Sequence, residues 1–283
     1  MNEKNTAAAL SVFAAAGLTA MKLLVGILTG SLGILSEALH SLFDMFAAAM
    51  TMFAVKFSDK PADKEHTFGH GKMENLSALA ESVLLLATCV WVVFEAVSRL
   101  GGGATHFEIN AWAFGVVIAS ICVDAFRSRH LMKMAKKYNS QALEADALHF
   151  STDILSSSVV LFGLIASAMG YYSADSIAAL GVSAIIAYVS VKLAKRAVDE
   201  LLDTAPVGAS ERVVRILRGT TGIEKWHDLR IRSAGSEYEI DVNIHVSPQL
   251  TIVEAHEISE KLEREIRDEM GRGTISVHIE PSE

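Results

Sequence analysis

The sequence predicts a membrane bundle of six helices followed by a small cytoplasmic α/β domain of order α-β-β-α-β. Three observations predict it. Hydrophobic residues fill 51% of the 283 positions and mean hydropathy is +0.33, too apolar for an ordinary soluble domain. Six apolar runs, each near the roughly 20 residues a bilayer requires, follow one another to about residue 198. From about residue 206, charge alternates with apolar residues instead, which sets the domains at 1–205 and 206–283. The net charge of −8 and a pI near 5.7 argue against nucleic acid as a partner. Cys89 and Cys122 both sit in apolar segments, without the spacing of a disulfide framework or a zinc finger.

The spans are expected at roughly 7–29, 33–56, 76–98, 110–132, 142–169 and 175–198. Lys4 ahead of an Ala-rich run weakly resembles a signal peptide, but the apolar run continues to about Gly30, so it reads as an uncleaved first span. Gly30 and Gly33 mark the first connection, Gly101, Gly102 and Gly103 the third, and Gly170 the fifth. The 56–72 connection carries Lys56, Lys60, Lys64 and Lys72, and the 127–137 connection carries Arg127, Arg129, Lys133, Lys136 and Lys137. Lys192, Lys195 and Arg196 follow the last span, while the opposite loops hold one base, Arg99. Basic loops stay cytoplasmic, so both termini are expected inside.

In the tail, Ser210 is an expected N-cap and Gly219 an expected terminator for a helix striped with Val213, Val214, Ile216 and Leu217. A strand over 225–232 places Leu229 and Ile231 in phase. A second strand over 237–246 alternates Tyr238, Ile240, Val242, Ile244 and Val246 with Glu239, Asp241, Asn243 and His245. Thr251 and Glu254 form a capping box ahead of a helix striped with Ala255, Ile258, Leu262 and Ile266. A strand over 274–280 turns Ile275, Val277 and Ile279 inward, and the helices are expected on one face of the sheet.

One pattern occurs twice within apolar runs. Residues 37–44 and 146–153 each read acid, Ala-Leu-His, three residues, Asp. His40 with Asp44, and His149 with Asp153, are four apart and share a helix face. Ionisable groups inside a membrane are expensive and therefore candidate functional residues. Two imidazoles and two carboxylates make the ligand set of a tetrahedral divalent-metal site, with borderline donors that suit Zn²⁺ and leave Co²⁺, Fe²⁺, Ni²⁺ and Cd²⁺ open. A metal-free proton relay and simple helix packing are the alternatives. Glu37 and Asp146, three residues before each histidine, are candidate acceptors that would orient the imidazoles. Ser156 and Ser157 extend the polar face, and Asp124 is expected to snorkel or pair with an arginine. In the 61–72 loop, Asp63, His66 and His70 lie three and four apart, so one helical turn or compact loop can gather them around a second metal.

Together these features resemble the cation diffusion facilitator family, across essentially the whole chain: six spans, HxxxD in the second and fifth spans, the Asp63/His66/His70 loop with Phe-Gly-His-Gly-Lys, and the α-β-β-α-β tail. The resemblance implies a homodimeric secondary transporter of the plasma membrane, in bacteria the inner membrane. Such a protein exports divalent metal from the cytoplasm in exchange for protons, with no organic cofactor and no nucleic-acid partner. It implies a transport site of His40, Asp44, His149 and Asp153. His40, where some bacterial members have Asp, goes with zinc preference and rejection of cadmium. It also implies tail ligands at His227, His245, His256, His278 and Glu280, of which Glu280 departs from the family's His-x-Asp, leaving one or two metals open there. Lys72 and Asp203 match an inter-subunit ion pair of relatives. His278, Glu280 and His245 fall on polar strand faces, whereas His227 is in phase with buried Leu229 and Ile231.

The expected mechanism is alternating access around a midplane Zn²⁺ site where protons compete for the same ligands. Zn²⁺ bound at the tail would add a regulatory role. The rivals are a membrane metal sensor that does not translocate, a family member preferring iron, cobalt, cadmium or manganese, and an intramembrane metalloenzyme. The last lacks support, since no HExxH occurs and the run after His256 has no second histidine.

Overall fold

Six helices of 27 or 28 residues lead the chain: α1 (Glu3–Thr29), α2 (Leu32–Ser58), α3 (Met73–Leu100), α4 (Ala111–Tyr138), α5 (Gln141–Ala168) and α6 (Ala174–Leu201). Then come α7 (Ala209–Gly219), β1 (Lys225–Ala234), β2 (Glu237–Val246), α8 (Ile252–Met270) and β3 (Gly273–Pro281), the α-β-β-α-β order expected. The structure, a computed structural model, describes residues 3–30, 32–100, 111–168, 174–235 and 237–283. The glycine-marked connections at 101–103 and 170–172 lie outside the described residues. By packing, the chain forms two units: Met1–Lys60 with Met73–Ala197, and Pro61–Lys72 with Val198–Glu283. The 61–72 loop therefore packs with the second unit, as does the last stretch of the sixth helix from Val198.

In the first unit, α1 packs on α2 and α4, α4 on α5, and α3 on α2 and α5. Ala7, Ala8, Ala48, Ala135, Ala142 and Ala147 let these backbones approach, and Leu131, Leu143 and Phe150 fill the space between them. Large apolar side chains point outward instead, among them Phe13 (74% exposed) and Phe126 (72%). Such an exterior suits hydrocarbon and not water. Four helices, α1, α2, α3 and α6, are each long and apolar enough to cross a membrane. In α4 and α5 some charge is turned inward: Asp124, Arg127 and Asp146 are buried.

One boundary differs from expectation. The 127–137 stretch is not a loop, because α4 runs on to Tyr138. Asn139 takes a left-handed φ of 48°, which asparagine tolerates, and ends the helix. The Ser140 hydroxyl then accepts from the Leu143 amide at 3.3 Å and starts α5. A two-residue turn thus sets α4 antiparallel to α5, and Arg127 is a buried helix residue rather than a loop base.

In the second unit the sheet order is β1-β2-β3, with β1 antiparallel and β3 parallel to β2. Ile240, Val242, Ile244 and Val246 are buried as the alternation requires, against Val213, Leu217, Leu262 and Ile266 from the two helices. Both arms of the Thr251/Glu254 capping box form. Ser210 does not cap α7: that position belongs to Gly208, whose φ of 75° favours glycine, and Ser210 already lies inside the helix. Gly219 is the last helical residue, and extended Thr220 ends α7 in its place.

Candidate metal centres

α2 and α5 bring together the repeated pairs. Asp44 Oδ1 lies 3.3 Å from His149 Nε2, which is 3.7 Å from Asp153 Oδ2. Asp44, His149 and Asp153 each offer a ligand atom within 4.8 Å of the others. His40 Nε2 lies 3.8 Å from Asp44 Oδ1, on a half-exposed side chain. A tetrahedral ion with bonds near 2.1 Å separates its ligand atoms by about 3.4 Å, so small side-chain adjustments suffice to close this set around one ion. Two carboxylates would neutralise a divalent charge, and neutral imidazoles complete the shell. His40, Asp44 and Asp153 line a cleft of about 600 Å³, whose wall also carries Ser156 and Ser157.

Glu37 and Asp146 do not orient the histidines. Glu37 accepts from Lys22 at 3.2 Å, and Asp146 accepts from the Ser11 hydroxyl at 3.0 Å. Each acid is held instead by a partner on α1, although its spacing places it on the same helix face as its histidine. Buried His149 Nδ1 has no hydrogen-bond partner among the described residues. Asp124 does pair with an arginine, Arg127, at 3.2 Å. Further buried charges escaped the sequence reading, Lys22 and Glu81 within apolar runs among them. Lys22 donates to Ser41 Oγ at 2.8 Å, and fully buried Glu81 accepts from the Thr51 hydroxyl. A lone charge within an apolar run was the available signal for both.

The loop set also assembles, as a compact loop and not a helical turn. Asp63 Oδ1 accepts from the amides of His66 (2.7 Å) and Glu65 (2.9 Å), and these bonds hold its carboxyl below the ordinary range. Asp63 then faces His66 Nδ1 and His70 Nε2, both at 3.5 Å, and the two rings lie 4.4 Å apart. Gly69, with φ of 80°, makes the turn between them. Gly71 backs directly onto the Ala234 carbonyl, leaving no room for a Cβ. Lys72 bonds Asp203 at 2.6 Å, and Arg232 bonds it at 3.1 Å. The first of these bonds, then the second, keeps the Asp203 carboxyl below its usual range. Lys72 and Asp203, expected as an ion pair, are thus bonded to each other within the chain.

In the tail, His227 Nε2 and His245 Nε2 face Glu280 Oε2 at 3.2 and 3.5 Å. His278 Nε2 approaches the other oxygen, Oε1, at 3.6 Å. The phase conflict at His227 is resolved by a bulge. Asp228 takes φ of 52°, the β1–β2 register shifts between His227 and Arg230, and His227 pairs with Asn243 on the polar face. The hydrogen bond to Glu280, then the one to Asp228, raises the His227 pKa above its ordinary value. His245 Nδ1 lies 3.4 Å from the Pro281 carbonyl, which orients the ring. His256 stands apart from this cluster, exposed on α8 beside Glu260 at 3.5 Å.

A helical membrane bundle with a histidine–carboxylate cluster on an internal cleft, joined to an α/β unit bearing a second such cluster, defines a class: membrane transporters of divalent cations. Comparison with known proteins gives the family. Residues 8–202 match the cation efflux transmembrane domain, and residues 208–282 match the cation efflux protein cytoplasmic domain. The chain is 32% identical over 273 residues to the cation-efflux pump FieF of Klebsiella pneumoniae (strain 342), covering 95% of this chain and 89% of that one. It is 31% identical to FieF of Yersinia enterocolitica, over 90% and 85% of the two chains. A solved MamM-CTD chain is 27% identical and spans 27% of this chain and 96% of its own, with a TM-score of 0.26. The chain belongs to the cation diffusion facilitator, or cation efflux, family. It is an integral, multi-pass membrane transporter of divalent cations and not an enzyme, and its second matched segment is a dimerisation domain.

Proposed function

We propose that this protein exports Zn²⁺ from the cytoplasm in exchange for protons, from the inner membrane of a bacterium, with both termini cytoplasmic. The observation that carries the reading is the convergence of Asp44, His149 and Asp153 within 4.8 Å, with His40 beside them, on two membrane helices. Two imidazoles with two carboxylates form a borderline donor set that suits zinc. The relatives are cation-efflux pumps by name, which supports efflux over sensing alone. Metal binding requires neutral histidine and ionised carboxylate, so a proton arriving at the same four groups releases the ion. Residues 1–205 serve as the transport domain and 206–283 as the cytoplasmic metal-binding and dimerisation domain. Asp63, His66 and His70 form a second metal station, and His227, His245 and Glu280 a third, with His278 on the second oxygen of Glu280 and His256 left outside it. Uptake of Zn²⁺ by proteoliposomes under an imposed proton gradient tests the reading. Transport that survives in Asp44→Ala and Asp153→Ala, or that ignores the gradient, would refute it.

A further inference from the structure

The helical unit buries a second ionised pair on the wall of the transport cleft. Asp124 and Arg127 of α4 line the same cleft as His40, Asp44 and Asp153. Arg127 is 4% exposed. Its guanidinium donates to Asp124 Oδ1 at 3.2 Å and to Ser11 Oγ of α1 at 3.1 Å. Ser11 donates onward to Asp146 Oδ2 of α5 at 3.0 Å. The Arg127 Cζ sits 3.5 Å from the centroid of the Phe150 ring, whose edge contact with His149 is 5.4 Å between centroids. Three helices and an aromatic face therefore fix the guanidinium in place, and its charge is permanent.

Outside the cluster the wall of this cleft carries two carboxylates, exposed Glu37, paired with Lys22 at 3.2 Å, and the buried one, Asp124. Unpaired, it would be a ligand for the ion passing it. We propose that Arg127 masks Asp124, so that the cleft presents a single divalent-cation station, at His40, Asp44, His149 and Asp153, instead of two in series. A second station would hold the ion longer and slow its passage. The inference rests on reading this cleft as the transport path for Zn²⁺.

A mask and a mere structural strut respond differently to substitution. Arg127→Gln bares Asp124, so a mask predicts tighter Zn²⁺ retention, whereas a lost strut predicts weaker binding. Asp124→Asn leaves Arg127 with only the Ser11-bridged Asp146 as counter-charge, so the cleft wall becomes more positive and the ion is held more weakly. The double variant D124N/R127Q removes both charges and should undo both effects, which a lost strut cannot do.

The test uses the full chain in proteoliposomes, with Zn²⁺ flux and equilibrium dialysis against Zn²⁺ on the same preparations. For R127Q, KM is expected to fall about three- to tenfold with a comparable fall in maximal rate, a shift of the size one unpaired charge produces. Dialysis should show one additional Zn²⁺ per chain. R127K should stay near wild type in rate and stoichiometry, and D124N/R127Q should return to within about twofold of wild-type KM. A raised KM in R127Q, an unchanged ion count, or a double variant no better than R127Q would overturn the proposal. If R127Q does not fold, D124N decides with the double variant: a KM raised several-fold and then restored supports the mask, and an unchanged KM in D124N overturns it. If wild-type vesicles carry no Zn²⁺, the transport reading fails, and dialysis still counts ions with and without the mask.

Discussion

Asp44 should be the most sensitive ligand of the transport cluster. Its Oδ1 is the atom nearest both histidines, 3.3 Å from His149 Nε2 and 3.8 Å from His40 Nε2. Asp44→Asn keeps the volume and removes the charge. A divalent ion in the variant then sits in a largely buried cleft with one carboxylate, Asp153, and one unit of positive charge unmatched. Breaking a buried charge pair costs about 3–5 kcal/mol, which is roughly two to three and a half orders of magnitude in affinity. His40→Ala removes a neutral ligand from a half-exposed position that water can fill, so its cost should be smaller, on the order of 1–2 kcal/mol. Calorimetric titration with Zn²⁺ reads both, in a background of His70→Ala and Glu280→Ala so that the loop and tail clusters do not contribute. Proteoliposome flux gives the matching KM. A Kd for D44N within about threefold of the wild-type value, or a larger loss in H40A than in D44N, would refute the argument from charge.

His40→Asp should admit Cd²⁺ alongside Zn²⁺, because a third carboxylate raises the negative charge and adapts to a larger ion. Competition flux with the two metals checks it, and an unchanged ratio of Cd²⁺ to Zn²⁺ flux would sink it. In the metal-free protein, the Glu280 and Asp228 hydrogen bonds that raise the His227 pKa stabilise the fold while the imidazole is charged. That contribution is complete below the unfolded value of about 6.5 and is lost as pH rises through the higher folded value. The thermal midpoint should therefore fall between wild type and His227→Gln by more at pH 6 than at pH 9, and equal differences would argue against it. Gly71→Ala places a methyl against the Ala234 carbonyl and should cost about 1–3 kcal/mol through forced backbone movement. Faster amide exchange over 61–72 with an unchanged β1–β3 sheet is the expected signature, and unaltered exchange would contradict it.

What the sequence revealed and what it hid divide along physical lines. The HxxxD pairs were legible because helical spacing fixes which face a residue shares, and because a charge in an apolar run has few uses. Spacing within one helix does not reveal which partners a neighbouring helix supplies, and so Glu37 and Asp146 were misplaced: they bond Lys22 and Ser11 of α1. The β2 face was legible from period-two alternation, which a one-residue slip would invert. His227 was not, because its orientation depends on a bulge at Asp228, and aspartate enters positive φ without any sequence mark as clear as glycine's. Arg127 was hidden by its company: with Arg129, Lys133, Lys136 and Lys137 it looked like part of a basic loop, yet it is the buried base of that group.

The three clusters share a composition and differ in burial, which assigns them different work. The loop and tail clusters each keep an outer edge in water: His66, Asp63 and His227 side chains are 56%, 53% and 42% exposed, against 12% for His70, 21% for His245 and 31% for Glu280. Water screens the charge there, so loading or unloading an ion changes little beyond the cluster itself. The His149, Asp44 and Asp153 side chains are 9%, 13% and 18% exposed. An ion that leaves this cluster uncovers two carboxylates in a poorly hydrated cleft, and the least costly replacement is a proton on the same groups. On these grounds the proposed exchange of metal for protons suits Asp44, His149 and Asp153 better than the two clusters whose outer ligands stand in water. Placing the loop cluster's ligands at the transport depth, or the transport ligands in open solvent, would remove that distinction, whichever divalent ion is carried.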